Sequence, residues 1–312
     1  MKKKLYITGI SGFIGSKLAL YLSERGYSVV GISRNNNYLL SKELGVEVIE
    51  IDLLNKSNFK LDKADYLIHC ATANDIVSRN FSSGLSLSVE GTKNLLDAAL
   101  EADIRNIVFF STAQVYGTEL KGTINEDSAL HCETQYSLNH FFGEELCKMY
   151  CTKNKINVTA LRPSNVYGLA NATTVNRNTL VPKCFIEEAL KKGKITLNSS
   201  GKQTRNFVST DQVAMDVANL IENFPKNFSV RNSGSNWSTS IIEIANLVAK
   251  LYEIQFNKKI EVSVNNLKPL SSNNFKYQSK FFVSSENEDY CKHQMQNVIQ
   301  DLLKNGSCNE KK

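Results

Sequence analysis

The stretch LYITGISGFIGSKLALYLSERG, Leu5 to Gly26, decides how the rest of the chain is read. Leu5-Tyr6-Ile7-Thr8 is a short β-rich run. Ser16 to Arg25 carries apolar residues at helical spacing, and Gly26 stands where helices stop. Between them lies Thr8-Gly9-Ile10-Ser11-Gly12-Phe13-Ile14-Gly15. Glycines at 9, 12 and 15 let the backbone turn tightly and approach a pyrophosphate. Unpaired amides at the helix start and the helix dipole favour negative charge there. Glycines at this spacing say little alone. Between an opening strand and its helix they predict a dinucleotide cradle.

Outward from that stretch the pattern repeats. Tyr27 to Ser33, Val46 to Ile51, Tyr66 to Ala71, Asn106 to Ser111 and Asn157 to Leu161 read as further strands, and Ser86 to Ala102 as a long helix. Continuous apolar strands alternating with helices imply a parallel sheet covered on both faces. The expected fold class is α/β, a Rossmann-type doubly wound sheet. Ligands then lie beyond the carboxyl ends of the strands, where Thr8, Asp52, Ala71 and Thr112 stand. After residue 165 the alternation loosens, with helical stretches at Val181 to Lys192, Asp211 to Asn223 and Ser240 to Tyr252. We read 1–165 as a dinucleotide-binding domain, to which 203–232 returns. The remainder, 166–312, reads as a smaller α/β substrate-binding part whose last residues fray.

The second strand ends in Ser33-Arg34-Asn35, with no acid. An acid there holds the ribose 2′-hydroxyl of NAD, whereas an arginine accommodates the 2′-phosphate of NADP. NADP is therefore the favoured cofactor and NAD the alternative. Asp52, before Leu53, is placed to hydrogen-bond the adenine amino group.

Composition narrows the classes. The chain has 312 residues, 42% hydrophobic and 22% charged, with a net charge of +6, values of an ordinary globular protein. Its basic residues are scattered, which argues against a nucleic-acid partner and suits a small anionic substrate. The apolar run after Lys2-Lys3-Lys4 is broken by Ser11, Gly12, Gly15 and Lys17, so neither a signal peptide nor a membrane span is expected, and a cytoplasmic location is. Seven cysteines without a CxxC read as reduced thiols. His140, Cys147 and Cys151 fit one helix face but lack a fourth ligand, so no metal is expected.

With a dinucleotide placed, Tyr136 in TQYSLNHFFGEE (Thr134 to Glu145) becomes interpretable. A phenol can exchange a proton with a substrate hydroxyl while hydride moves, but its free pKa of ~10 calls for a nearby positive charge. Eight motifs follow one another: TGISGFIG (Thr8–Gly15), DL (Asp52-Leu53), HCAT (His69–Thr72), VEGTKNLLDAA (Val89–Ala99), FSTAQVYG (Phe110–Gly117), YSLNH (Tyr136–His140), LRPSNVYG (Leu161–Gly168) and GKQTRNFVSTDQVA (Gly201–Ala214). In these the chain resembles an extended short-chain dehydrogenase/reductase of the nucleotide-sugar epimerase/dehydratase group. The resemblance implies catalysis by Tyr136 and Thr112. It implies that Asn165 and Arg205 hold the diphosphate of a nucleotide-diphosphate sugar. Cofactor contacts are expected from Gly9, Gly12, Phe13, Ile14, Gly15, Arg34, Asp52, Leu53, Ala71, Thr72, Ala73, Ser111 and His140. A homodimer through the long helices is implied as well.

The chain departs from that pattern at four places. His140 stands where the family has the lysine of YxxxK, Ser88 replaces an asparagine, and Asn206 and Ser209 replace Asp and His. A histidine, with a free pKa of ~6.5, can hydrogen-bond the ribose but is mostly neutral at pH 7. It can serve as an imperfect substitute with an acid-shifted optimum, be assisted by another cation, or mark a protein that only binds dinucleotide. Ala113-Gln114 follow Thr112 where 4,6-dehydratases carry Asp-Glu, so 4,6-dehydration is disfavoured and a 4-keto reductase or 4-epimerase is expected. His69 and Trp237 read as structural, Tyr116 and Tyr167 as cleft-lining or packing residues, and Glu144 and Glu145 as a solvated helix face.

Overall fold

Alternate residues of the opening strand serve two different cores, and that alternation organises the molecule. The computed structural model describes residues 2–35, 38–56, 59–172, 175, 180–265, 274–282 and 287–309. Strands β1 (Lys4–Thr8), β2 (Ser28–Ser33), β3 (Glu47–Glu50), β4 (Tyr66–His69) and β5 (Asn106–Phe110) alternate with helices α1 (Phe13–Glu24), α2 (Tyr38–Leu44), α3 (Phe81–Leu85) and α4 (Thr92–Glu101). The short β6 (Gly122–Ile124) precedes α5 (Gln135–Asn154), which leads into β7 (Asn157–Pro163) and β8 (Asn165–Tyr167). Next come α6 (Lys183–Lys192), β9 (Lys194–Leu197), β10 (Thr204–Ser209), α7 (Thr210–Glu222) and β11 (Phe228–Ser233). The chain closes with β12 (Ser238–Ser240), α8 (Ile241–Phe256), β13 (Glu261–Val264), β14 (Phe275–Tyr277) and α9 (Glu288–Asn309).

Seven strands form one sheet in the order β11-β7-β5-β4-β1-β2-β3, and every pairing in it is parallel. The order reverses between β1 and β4, which opens a crevice at the carboxyl ends. Side chains on a strand alternate between faces. Leu5 and Ile7 therefore join Leu18, Leu22, Val213 and Val217 under α1 and α7. Tyr6 joins Leu95, Ala99, Cys147 and Cys151 under α4 and α5. Phe110 and Phe109 divide the same way. A third core of Phe185, Trp237, Ile244, Val248, Met295 and Leu303 lies among α6, α8 and α9.

Some boundaries differ from the expectation. The helix expected over 86–102 begins as a π-helical stretch, Ser86–Gly91, before α4. Wide turns of this kind relieve a local packing conflict and cluster near sites. The strand expected over 66–71 ends at His69, because Cys70 and Ala71 give their amides to the Thr8 hydroxyl instead of a ladder. Helix α9 continues to Asn309, into the segment expected to fray. Residues 310–312 and the side chain of Cys308 lie outside the described residues.

Candidate functional site

The cradle follows from three glycines. Gly9 has φ +67°, and a Cβ there would stand 3.0 Å from the Ala71 nitrogen. A Cβ on Gly15 would overlap the Gly9 carbonyl, so helix and loop close only without one. Gly12 caps α1 in an extended conformation, with no side chain accepting from the first amides and no acid in the first turn. Its own amide donates to the Gly9 carbonyl at 2.8 Å. The helix thus presents bare amides and its positive end to the crevice, which fits a dinucleotide pyrophosphate.

Beyond the cradle runs a cleft of about 370 Å³ across the carboxyl ends of β1, β2, β4, β5 and β7. Gly9, Gly12, Phe13, Ile14, Gly15, Arg34, Asp52, Leu53, Ala71, Thr72, Ala73, Ser111, Thr112, Tyr136, His140 and Asn165 all line it. Arg205 does not: its guanidinium donates to the carbonyl of Thr118 at 3.1 Å, and burial lowers its pKa. Arg34 follows β2 directly and is exposed at the cleft edge. Asp52 accepts from the Leu54 amide at 3.0 Å. Asn74, Val77, Gln114, Pro163, Ser164 and Leu180 also line the cleft and were not singled out from sequence, except Gln114, which was read only for what it cannot do. Being carried on loops, single 3-10 turns and strand ends, they show no periodicity.

Helix α5 aims the catalytic candidates. Thr134 accepts from the Ser137 amide, and the Ser137 hydroxyl returns to the Thr134 amide, a capping box that fixes the first turn. Tyr136 lies in that turn, half-buried, with its ring edge-on to His140 at 4.6 Å between centroids. One turn on, His140 is 3% exposed and packs against Phe109. The helix comes this close because Gly143 has no Cβ to strike the Phe109 ring. Thr112 accepts from the Gln114 amide at 3.2 Å, which leaves its hydroxyl proton for a substrate oxygen.

Burial pulls the His140 pKa down to about 4, against a lesser opposing pull from the carbonyls of Phe110 and Ala73. Neither carbonyl meets hydrogen-bond geometry, so both ring nitrogens are buried without a partner, as is the Ser111 hydroxyl oxygen. The imidazole is therefore neutral at pH 7. Orphaned polar atoms at the cleft wall fit the ribose and carboxamide end of a nicotinamide dinucleotide. His69 is held behind it. The Thr8 hydroxyl accepts two amides and so must donate to His69 Nδ1 (2.7 Å), leaving Nε2–H for Thr92 (3.0 Å). Burial, and then His140, lower the His69 pKa to about 3.

Several residues prove structural. Glu144, expected on a solvated face, is 2% exposed. It takes two bonds from Arg162, at 2.9 Å through Nε and 2.5 Å through Nη2. That face of α5 turns inward because β7 carries Arg162 beneath it, and a buried guanidinium needs a carboxylate. Glu145 remains exposed, with Lys148 nearby. Arg162 also donates to the Tyr116 hydroxyl (2.9 Å), which donates to Asn232 (2.8 Å). Tyr116 and Tyr167 are buried and are absent from the cleft lining. Trp237 packs on Phe207. Three of the four departures from the family pattern are absorbed. Ser88 accepts from the Ala73 amide, Ser209 caps α7, and the Asn206 amide donates to the carbonyls of Ser235 and Trp237, as a carboxylate could not. Among the described residues no cluster of three or more His, Cys, Asp or Glu is placed to hold a metal, and no helix is long and apolar enough to cross a membrane.

Known proteins resemble the chain in sequence and in fold. The sequence pattern of the NAD dependent epimerase/dehydratase family matches residues 5–230. A UDP-N-acetyl-alpha-D-glucosaminuronate decarboxylase from Bacillus cytotoxicus is 29% identical over 265 residues, covering 80% of this chain and 81% of that protein. A dTDP-D-glucose 4,6-dehydratase from Dictyostelium discoideum is 26% identical over 277 residues, 80% of this chain but 62% of the longer relative. Among solved structures, a UDP-glucuronic acid 4-epimerase from Bacillus cereus, in complex with UDP-glucuronic acid and NAD, superposes with a TM-score of 0.76 at 22% identity, covering 97% of this chain and 99% of that one.

Proposed function

Because the chain belongs to the NAD dependent epimerase/dehydratase family, we propose that it changes a nucleotide-diphosphate sugar by hydride transfer at C4, as a 4-keto reductase or a 4-epimerase. The observation that carries this is the convergence of the cradle, Thr112, Tyr136 and His140 on one cleft. Gly9, Gly12 and the amides that open α1 would hold the pyrophosphate. Asp52 would meet the adenine, and Ser111 and His140 the nicotinamide end. When bound, the dinucleotide supplies or withdraws the hydride. Thr112 orients the reacting oxygen by donating its hydroxyl proton, and Tyr136 exchanges a proton with the same oxygen. His140 contributes hydrogen bonds rather than charge.

Asn165 lines the cleft and is placed for the diphosphate. Arg205 would have to leave the Thr118 carbonyl to join it, and the C-terminal elements would enclose the sugar nucleotide. The turn after Thr112 presents Ala113 and Gln114, and neither transfers a proton at neutral pH, so a 4,6-dehydratase is disfavoured although relatives carry that name. Arg34, with no acid beside it, supports NADP over NAD. The chain is read as cytoplasmic and as a homodimer.

The test is incubation of the purified protein with NADPH and nucleotide-linked 4-keto sugars. Stoichiometric loss of dihydronicotinamide absorbance marks a reductase. Interconversion of C4 epimers without net loss marks an epimerase. Tight dinucleotide binding with neither result would make it a sensor. A protein that binds no dinucleotide would end the proposal.

A further inference from the structure

We propose, on the strength of the functional reading above, that Arg162 is a positioning residue of this site. Its buried guanidinium ties the turn that carries Thr112 to the helix that carries Tyr136, and so sets the spacing of those two hydroxyls. Arg162 acts through other residues. It is absent from the cleft lining, as are Glu144 and Tyr116, and all three side chains are buried.

The guanidinium is shared between two elements. Nε and Nη2 donate to the Glu144 carboxylate on α5, at 2.9 Å and 2.5 Å. Nη1 donates to the Tyr116 hydroxyl at 2.9 Å. Glu144 lies one helical turn beyond His140 and two beyond Tyr136. Tyr116 ends the 3-10 turn that Thr112 caps. Arg162 is itself held on both sides. Its carbonyl accepts from the Tyr277 hydroxyl at 2.7 Å. The Tyr116 hydroxyl passes its own proton to Asn232 at 2.8 Å, the residue opposite Arg162 on β11. From Arg162 the chain runs directly into Pro163, Ser164 and Asn165, which line the cleft.

Such a pair does more for geometry than for stability. Desolvation of two buried charges offsets their attraction, and apolar residues of similar volume are often as stable in their place. What apolar residues do not reproduce is direction. The turn after Thr112 otherwise rests on Val115 and Tyr116 packed with Phe275 and Tyr277, and hydrophobic contact is non-directional. A guanidinium is planar and holds its donors in a rigid fork, so partners on two of its edges keep one separation and one angle. Hydride and proton must reach the two atoms of a single C–O bond. A misplacement of about 1 Å between the groups that guide them can cost about a hundredfold in rate. The dinucleotide cradle belongs to β1 and α1, and β5 and β4 separate it from β7, so dinucleotide affinity should not depend on Arg162.

Two variants test this. Arg162→Met combined with Glu144→Leu removes both charges at once and roughly keeps their volume. Tyr116→Phe cuts only the bond to the turn. In each, kcat should fall by about tenfold or more, while dinucleotide Kd, measured by calorimetry, stays within about twofold of the wild type. Crystal structures of the same variants should show the distance between the Thr112 and Tyr136 hydroxyls changed by about 1 Å. Should the double variant fail to fold, Tyr116→Phe still decides. A folded variant that keeps the wild-type spacing overturns the proposal whatever its rate, and so does an equal loss of kcat and dinucleotide affinity, the mark of a merely structural role. A wild-type protein that binds no dinucleotide would instead undo the functional reading, and the hydroxyl spacing would still show whether Arg162 sets the geometry.

Discussion

At the scale of single residues, the site depends on atoms that are missing. Gly15 lacks a Cβ that would overlap the Gly9 carbonyl. Gly15→Ala must therefore push the loop from the helix, at a cost of about 1–3 kcal/mol. We expect a lower thermal midpoint and dinucleotide affinity down at least tenfold by calorimetry. Two buried imidazoles give a second expectation. His69 and His140 have pKa values held by burial at about 3 and about 4, below the ordinary 6.5. The unfolded chain binds the extra protons, so stability is complete above 6.5 and is lost as the pH falls toward the folded values. Each imidazole adds a slope of up to about 1.4 kcal/mol per pH unit in that window. Urea midpoints should fall on acidification, and His140→Gln should remove one share of the slope. The glycine cradle was legible in sequence because local backbone geometry dictates its spacing, whereas Tyr136 was picked out through the motif it sits in. The inward turn of Glu144 was not, since its cause, Arg162, lies on another strand.

Elements convert those residues into geometry. Helix α5 carries both Tyr136 and His140, and its first turn is fixed by the capping box of Thr134 and Ser137. Removing such a cap costs about 0.5–2 kcal/mol. Thr134→Ala should therefore lower the urea midpoint modestly. Because Tyr136 lies two residues inside the cap, kcat should fall more than dinucleotide affinity, which depends on α1. Equal losses of both would place the effect in global stability instead. The helix was legible in sequence through its motif, whereas its depth was not. A π-helical stretch at Ser86–Gly91 and the contact of Gly143 with Phe109 set how far α5 sinks toward the sheet. Both depend on packing between elements distant in sequence. Helix α9 packs against α6 and α8, where Met295, Ile299 and Leu303 are fully buried, and it runs on to Asn309.

Across the whole molecule, β10 and α7 join the two halves. Strand β10 pairs with β8 and β12, outside the large sheet. Helix α7 follows it without a break and packs on α1, the helix of the cradle. From α7 the chain returns to the large sheet as β11. Phe207 of β10 lies in the C-terminal core, and its neighbour Val208 in the core under α1. One strand thus has a foot in each core, which couples their unfolding. The single tryptophan, Trp237, is 4% exposed and packed on Phe207, so its fluorescence reports the C-terminal core alone. Circular dichroism reports mainly the larger sheet and its helices. The two thermal transitions should coincide, as for one cooperative unit. Saturating dinucleotide, at about a hundred times its Kd, should then stabilise the fold by about 2.7 kcal/mol. Both probes should shift together, although Trp237 lies outside the cleft lining. Tyr136→Phe, which leaves the cradle intact, should keep that shift, and Gly15→Ala should lose it. A tryptophan signal that stays in place while the dichroism midpoint rises would show that β10 and α7 do not carry the coupling.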